Sequence, residues 1–316
     1  MVRVVLAAMA LATVLPVPAD WKPLAQAALN LSVFVLFLLY GMRIARRDVR
    51  AALTNVRFHL PLAAWVFLAM GVAGWLVSLG IAPFVPAALA VGFVFLGVLP
   101  STVQSAAVYT SLAGGNVANS VVAAALLNVA GVILVVPLFA LLAGGGQGAL
   151  SLDTLVKVFA ILLLPFAIGQ LSRGRTRDWA ARHRQGLSRY DKAVVAIGVY
   201  VAFSEAARQG IWRSLDLTSW AAVVAGCAVL LLFGYAGAWL ASGALRLARA
   251  DRKAFLFAGG QKSVALGAPL AAIIFTDNAG GAVLLPVVLY HFAQLVVAGP
   301  IAARLNSDPS PQEGGG

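Results

Sequence analysis

The chain has 316 residues, 61% of them hydrophobic and 11% charged, with a formal charge of +12 and a mean hydropathy of +0.92. A water-soluble domain keeps about a quarter of its residues charged to hold a wetted surface, so a soluble globule is excluded and lipid must surround most of this chain. The positive charge does not mark a nucleic-acid binder, because the basic residues sit in short loops between apolar blocks and form no stripe on one domain.

The apolar blocks run to about 20 residues, the length a helix needs to cross a hydrocarbon core of about 30 Å. A membrane β-barrel would show alternating segments of about 10 residues instead. In chain order, ten spans are predicted at 3–18, 24–45, 59–80, 84–113, 117–143, 153–171, 192–208, 217–245, 253–275 and 280–303. The first carries Arg3, a short apolar run and Pro16-Val17-Pro18-Ala19 before Asp20. That outline also fits a cleavable leader; we read it as a short first helix, and cleavage would not change the sidedness of the rest. The fourth and ninth spans are interrupted by polar, glycine and proline residues.

Loop charge orients the spans. Basic residues cluster in three places: Arg43, Arg46, Arg47, Arg50 and Arg57; Arg173 through Lys192; and Arg246, Arg249, Arg252 and Lys253. With ten spans all three clusters fall on one side, and the positive-inside rule puts both termini in the cytoplasm of a cell inner (plasma) membrane. Gly144-Gly145-Gly146-Gln147-Gly148 divides the chain into five spans and five. The expected organisation is a first five-helix repeat over 1–143, a connector over 144–152, a second, inverted repeat over 153–305 and a disordered tail over 306–316. An odd number of spans per half inverts one half against the other, and breaks at matching positions point to a transport site.

The first break reads Leu99-Pro100-Ser101-Thr102-Val103-Gln104-Ser105. Proline removes an amide hydrogen and clashes with the preceding turn. Backbone freed at membrane depth survives only inside protein or beside a watery cavity, and Ser101, Thr102, Gln104 and Ser105 could line one. The second break reads Gly259-Gly260-Gln261-Lys262-Ser263. It lacks the spacing of a phosphate-binding loop and no strand precedes it. A lysine inside a span costs about 3 kcal/mol or more, so Lys262 is expected to face the interior with a partner. Glu205, the one acidic residue well inside an apolar run, is a candidate partner, although a solvated helix end also accounts for it. Asn128, His291 and Gln294 could line the same cavity. No metal-binding His/Glu pair, nucleophile elbow or carboxylate dyad is visible, so no enzyme chemistry is expected. Cys227 has no disulfide partner, being the one cysteine.

Leu-Pro-Ser-Thr-Val-Gln-Ser with Thr110 to Asn116, and Gly259 to Pro269, resemble the two crossing regions of the bile acid:sodium symporter superfamily, in the branch of the seventh vertebrate solute-carrier-10 member and its bacterial relatives. The likeness extends to Leu36–Arg43, Arg57–Leu60, Phe203–Ala206 and Tyr290-His291. It implies an all-α membrane protein in which two crossing discontinuous helices form a core and a panel moves against it. It also implies alternating access for a small organic anion coupled to sodium or protons. It places sodium near the crossing, with no other cofactor, and by motif position Ser120 and Gln261 match residue types used as sodium ligands in the family. Apolar residues around Phe257 replace the expected acidic ligand, Lys262 stands for an asparagine, and Ala124 stands for a threonine. A lysine ammonium could therefore take the cation's place. A non-transporting regulatory protein and a passive channel are the other classes that the sequence leaves open.

Overall fold

The computed structural model describes residues 2–43, 55–144, 156, 159–211, 215–275 and 280–307, and all the regular structure among them is helical. A helix or helix pair overlaps each of the ten predicted segments. They are α1 (Val2–Val14), α2 (Lys22–Arg43), α3 (Val56–Phe84), the pair α4 (Ala87–Val98) and α5 (Val103–Leu112), α6 (Val117–Ala143), α7 (159–182), α8 (Arg184–Arg208), α9 (Leu217–Ala244), the pair α10 (Arg249–Gly260) and α11 (Val264–Ile274), and α12 (Gly280–Ser307). Several run past the predicted bounds, most of all α7 and α8, which take up the basic stretch read as a loop. The predicted connector is described only at Gly144, and the basic loop through Arg46, Arg47 and Arg50 lies outside the described residues. At the other end α12 continues through Asn306 and Ser307, past the predicted start of the tail, and 308–316 lie outside the described residues.

By length and composition, six helical runs among the described residues could cross a membrane, α10 and α11 counting together as one, or seven when the bent pair α4–α5 counts as one span. This is a multi-pass membrane protein. α7 and α8 fall short of the same measure because Arg173, Arg175 and Arg177 in one, and Arg184, Arg189, Asp191 and Lys192 in the other, cut their apolar windows.

The two interruptions differ in geometry. Pro100 forces Leu99 into an extended conformation (φ −66°, ψ 146°), and α5 leaves α4 at 61°. At the second break only Gln261, Lys262 and Ser263 leave the helix, and α11 continues the course of α10 with no bend above 40°. No proline stands at that break. Its strand-like Gln261 (φ −98°, ψ 146°) follows two glycines, and Ser263 restarts the helix by accepting from the Leu266 amide.

Contacts sort the helices into two groups. α1 packs on α8, and α2 packs on α7 and α8; the remaining helices pack among themselves, with α4 central between α3, α6 and α12. α8 joins the groups through α11 and α12. Small residues set the closest crossings, as expected where lipid removes the hydrophobic drive between helices. A Cβ on Gly169 of α7 would lie 2.1 Å from the Leu38 carbonyl oxygen of α2, and one on Gly41 would lie 2.2 Å from that of Phe166. Gly169→Ala is therefore expected to push these helices apart at a cost of about 2 kcal/mol, read as a lower unfolding temperature in detergent. An unchanged midpoint would show that this crossing yields without strain.

A wide π-type turn opens α7 at Phe159–Leu163, and two more interrupt α3 at Trp65–Ala69 and α9 at Phe233–Gly237. The last two touch each other: Trp65 stacks on Phe233 with centroids 5.0 Å apart, and Gly237 and Gly259 lie against the indole. A π-type turn shifts the helical hydrogen-bond register and often occurs at functional sites.

Candidate functional site

At both breaks several freed carbonyls, and the amides of Lys262 and Ser263, find partners within the protein, and these bonds mark the site. The Lys262 N–H and C=O are bound at two points by the Gln294 side chain, whose Oε1 accepts from the amide at 2.7 Å while Nε2 donates to the carbonyl at 3.0 Å. The Ser263 amide donates to the Pro100 carbonyl at 2.9 Å, so one break is bonded directly to the other. The Ser101 carbonyl accepts from Asn128 Nδ2 at 2.8 Å. The last carbonyl of α10, that of Gly260, accepts from the Tyr290 hydroxyl at 2.6 Å.

Lys262 completes the set. Its side chain is buried, and Nζ donates to the carbonyls of Val66 at 2.8 Å, Gly97 at 2.6 Å and Leu99 at 2.8 Å. An ammonium carries three hydrogens and a neutral amine two, so three converging carbonyls match the charged form. Two of these carbonyls close the C-terminal end of α4, where the orphan oxygens and the helix dipole both favour a cation. The third belongs to the π-type turn of α3. The expectation that Glu205 partners Lys262 is corrected here. Glu205 pairs with Lys22 of α2 at 3.3 Å and accepts from Gln209 at 2.9 Å. The backbone already supplies Lys262 with as many acceptors as it has hydrogens.

The remaining sequence candidates divide. Thr102 and Ser105 both donate to Gln261 Oε1, and the Thr102 bond is 2.7 Å long. The hydroxyl of Thr102, at the N-cap of α5, is thereby drawn away from capping that helix. Gln104 is exposed and faces the cavity described below. Among the described residues, the buried hydroxyl of Ser101 and the buried Nε2 of Gln261 have no hydrogen-bond partner. Ser120 lies elsewhere: its hydroxyl accepts from Thr110 at 3.1 Å, near the C-terminal end of α5. Gln261 is bonded to the N-terminal end of α5, about 10 Å away at 1.5 Å of rise per residue. Ser120 and Gln261 therefore do not share one cation's shell.

Between the two helix groups lies a cavity of about 540 Å³. One wall holds the N-terminal ends of α5 and α11 through Thr102, Ser105, Ser263 and Ala265, together with Asn128 and His291. The opposite wall is formed by Tyr40 and Arg43 of α2, Phe166 of α7, and Arg184, Ser188, Asp191 and Lys192 of α8. Arg43 and Asp191 form a two-pronged pair at 2.9 and 2.7 Å, with the guanidinium 4.8 Å from the Tyr40 ring centroid. Sequence reasoning missed this second wall because its charges read as loop charge. The signal that could have found it is the spacing of Arg184, Ser188 and Lys192, four residues apart and so on one helical face.

The electrical layout follows from these placements. The C-terminal ends of α4 and α10 are closed by internal donors, Lys262 and Tyr290, while the N-terminal ends of α5 and α11 border the cavity. Such ends present amide hydrogens and a partial positive charge.

The profile of the SBF-like CPA transporter family matches residues 1–307. The chain is 32% identical over 300 residues to PA2026, an uncharacterized protein of Pseudomonas aeruginosa, covering 95% of this chain and 90% of the relative. It is 32% identical over 295 residues to YfeH of Escherichia coli, named as a candidate symporter, with coverage of 93% and 89%. It is 23% identical over 302 residues to the sodium/bile acid cotransporter 7 of Mus musculus, with coverage of 88% and 82%.

Proposed function

The chain belongs to the SBF-like CPA transporter family, a family of membrane transporters and not of enzymes, and on that premise we propose that it moves a small organic anion by alternating access. The observation that carries this reading is the cavity between the two helix groups, bordered by the N-terminal ends of both broken helices and by the cationic face of α8. A cavity with amide dipoles on one wall and cations on the other favours a negatively charged occupant. Among the described residues, the contacts away from the basic loops favour a carrier over a channel. There Lys22 pairs with Glu205, Gln26 Nε2 donates to the Ala272 carbonyl at 3.0 Å, and Gly281 of α12 lies against Ala202 of α8.

The proposal includes ten spans in two inverted five-helix repeats, with both termini in the cytoplasm of the inner membrane. Beyond the matched breaks, the π-type turns in the third helical unit of each half support the repeat. The group α1, α2, α7 and α8 would be the panel that rocks against the rest. In this reading the Lys262 ammonium takes the place of a cation at the crossing, so transport does not need sodium there. A mobile sodium ion wants several hard oxygen donors, and the three carbonyls that could supply them are already bonded to a tethered cation.

The test is uptake into vesicles of a panel of labelled organic anions, including a bile acid because the vertebrate relatives carry that name. Expected are saturation, counterflow, and rates unchanged when choline replaces sodium at fixed pH. Uptake that scales with sodium would defeat the lysine-for-cation reading, and non-saturating conductance would favour a channel.

A further inference from the structure

The Gln294 side chain fixes more than the crossing. Its Oε1 accepts the Lys262 amide hydrogen, and a backbone N–H cannot donate to an NH2 group, so the orientation of the Gln294 amide is settled by chemistry. The other end is therefore the NH2 group. It gives one hydrogen to the Lys262 carbonyl and has its other contact with His291 Nδ1 at 2.8 Å. Having two hydrogens and nothing with which to accept, it requires a lone pair on Nδ1. The neutral imidazole then carries its proton on Nε2. That Nε2 is buried and meets no hydrogen-bond partner among the described residues, and His291, 5% exposed, lines the cavity.

An unused donor at a cavity wall implies an acceptor that arrives with the ligand, because a buried N–H left without one is costly. Its surroundings narrow the ligand. The hydroxyl of Thr102 is committed to Gln261, leaving α5 without a side-chain cap where it borders the cavity. Arg184 and Lys192 line the opposite wall with no ion-pair partner among the described residues, whereas the lone acidic residue of that lining, Asp191, is held by Arg43. Val129, Val132 and Phe166 supply an apolar stretch between them. Donors and cations beside an apolar wall suit a carboxylate on a hydrocarbon body.

We propose that His291 is the substrate-reading residue of the cavity, donating from Nε2–H to a carboxylate oxygen, with its tautomer held by Gln294 clamped on the Lys262 peptide. This rests on the transport reading above and names the group by which that site would select its cargo. It also ties recognition to the crossing, since the residue that grips the unwound Lys262 peptide also sets which imidazole nitrogen carries the proton.

The experiment uses the full-length protein labelled with 15N-histidine. His291 is assigned among the three histidines by difference from His291→Gln, and octanoate at millimolar concentration serves as the probe. The imidazole is expected in the Nε2–H form before octanoate is added, with its Nε2 resonance shifted when octanoate binds. By calorimetry His291→Gln, whose amide can donate from a similar position, should bind octanoate within about threefold of the original protein. His291→Leu should bind it at least tenfold more weakly. An Nδ1–H tautomer overturns the inference, as does an octanoate-insensitive resonance or equal binding by the leucine variant. Failure of the transport reading is seen separately, as saturable binding to a protein that supports no counterflow in vesicles.

Discussion

Lys262→Met is expected to lower the unfolding temperature by about 5–10 °C and to reduce organic-anion uptake at least 100-fold. Methionine nearly preserves the length and apolar stem of lysine but removes the three hydrogens that reach Val66, Gly97 and Leu99. A buried acceptor left without its donor costs about 1–3 kcal/mol. Within membranes the measured hydrogen-bond energies run lower, because the unfolded reference also finds partners, so about 3–5 kcal/mol for the three together is the expected loss. The functional loss should exceed the stability loss. The carbonyls at the end of α4 would be left with an unopposed negative dipole beside the break, and the π-type turn of α3 would lose its tie to α4 and α10. Lys262→Arg is no rescue, since a planar fork cannot place three hydrogens on carbonyls from three directions. A methionine variant as stable and as active as the original protein would refute the role assigned to this ammonium.

The second large effect is expected from Gly281→Val. Even a lone Cβ at this position would lie 2.4 Å from the Ala202 carbonyl oxygen and 2.4 Å from the Ala206 Cβ, both on α8. α8 belongs to the group proposed to move and α12 to the group it moves against, so the added side chain acts as a wedge between them. Overpacking of this kind costs about 3 kcal/mol. It is relieved by parting the helices at the end where Lys22 meets Glu205 and Gln26 meets Ala272. Uptake should fall at least tenfold. In a Cys227→Ala background, a cysteine placed at Gln26 should react faster with an impermeant maleimide added from outside. Unchanged labelling together with normal uptake would show that this contact does not govern closure.

Much of the architecture was legible because membrane helices announce themselves through composition. Twenty apolar residues in a row leave few alternatives to a spanning helix, and Pro100 or the Gly259-Gly260 pair cannot sit inside one without consequence. Thr102, Ser105, Gln261, Lys262 and Ser263 could be picked out on the same ground, as polar groups in lipid-embedded sequence. Glu205 was picked by that rule too and went elsewhere, since its partner Lys22 lies 183 positions away and sequence carries no record of which helices are neighbours. Ser120 shows the same limit from the other side: motif position marks it and Gln261 alike as ion-ligand types, and only the fold shows that the length of α5 separates them.

By itself, the amino-acid sequence determined that this chain lives in lipid, that two of its helices are interrupted, and that a lysine stands at one interruption, because each of these follows from local chemistry and from the scarcity of water. The partners of that lysine were decided only in three dimensions. Carbonyl oxygens exist at every residue and carry no sequence signal, so only the packing of α3 and α4 against the second break could bring Val66, Gly97 and Leu99 to one ammonium. The same holds for the wall of Arg43, Arg184 and Lys192, which reads as loop charge until α2 and α8 stand beside the cavity, and for the tautomer of His291, which Gln294 sets through a backbone amide 32 residues away.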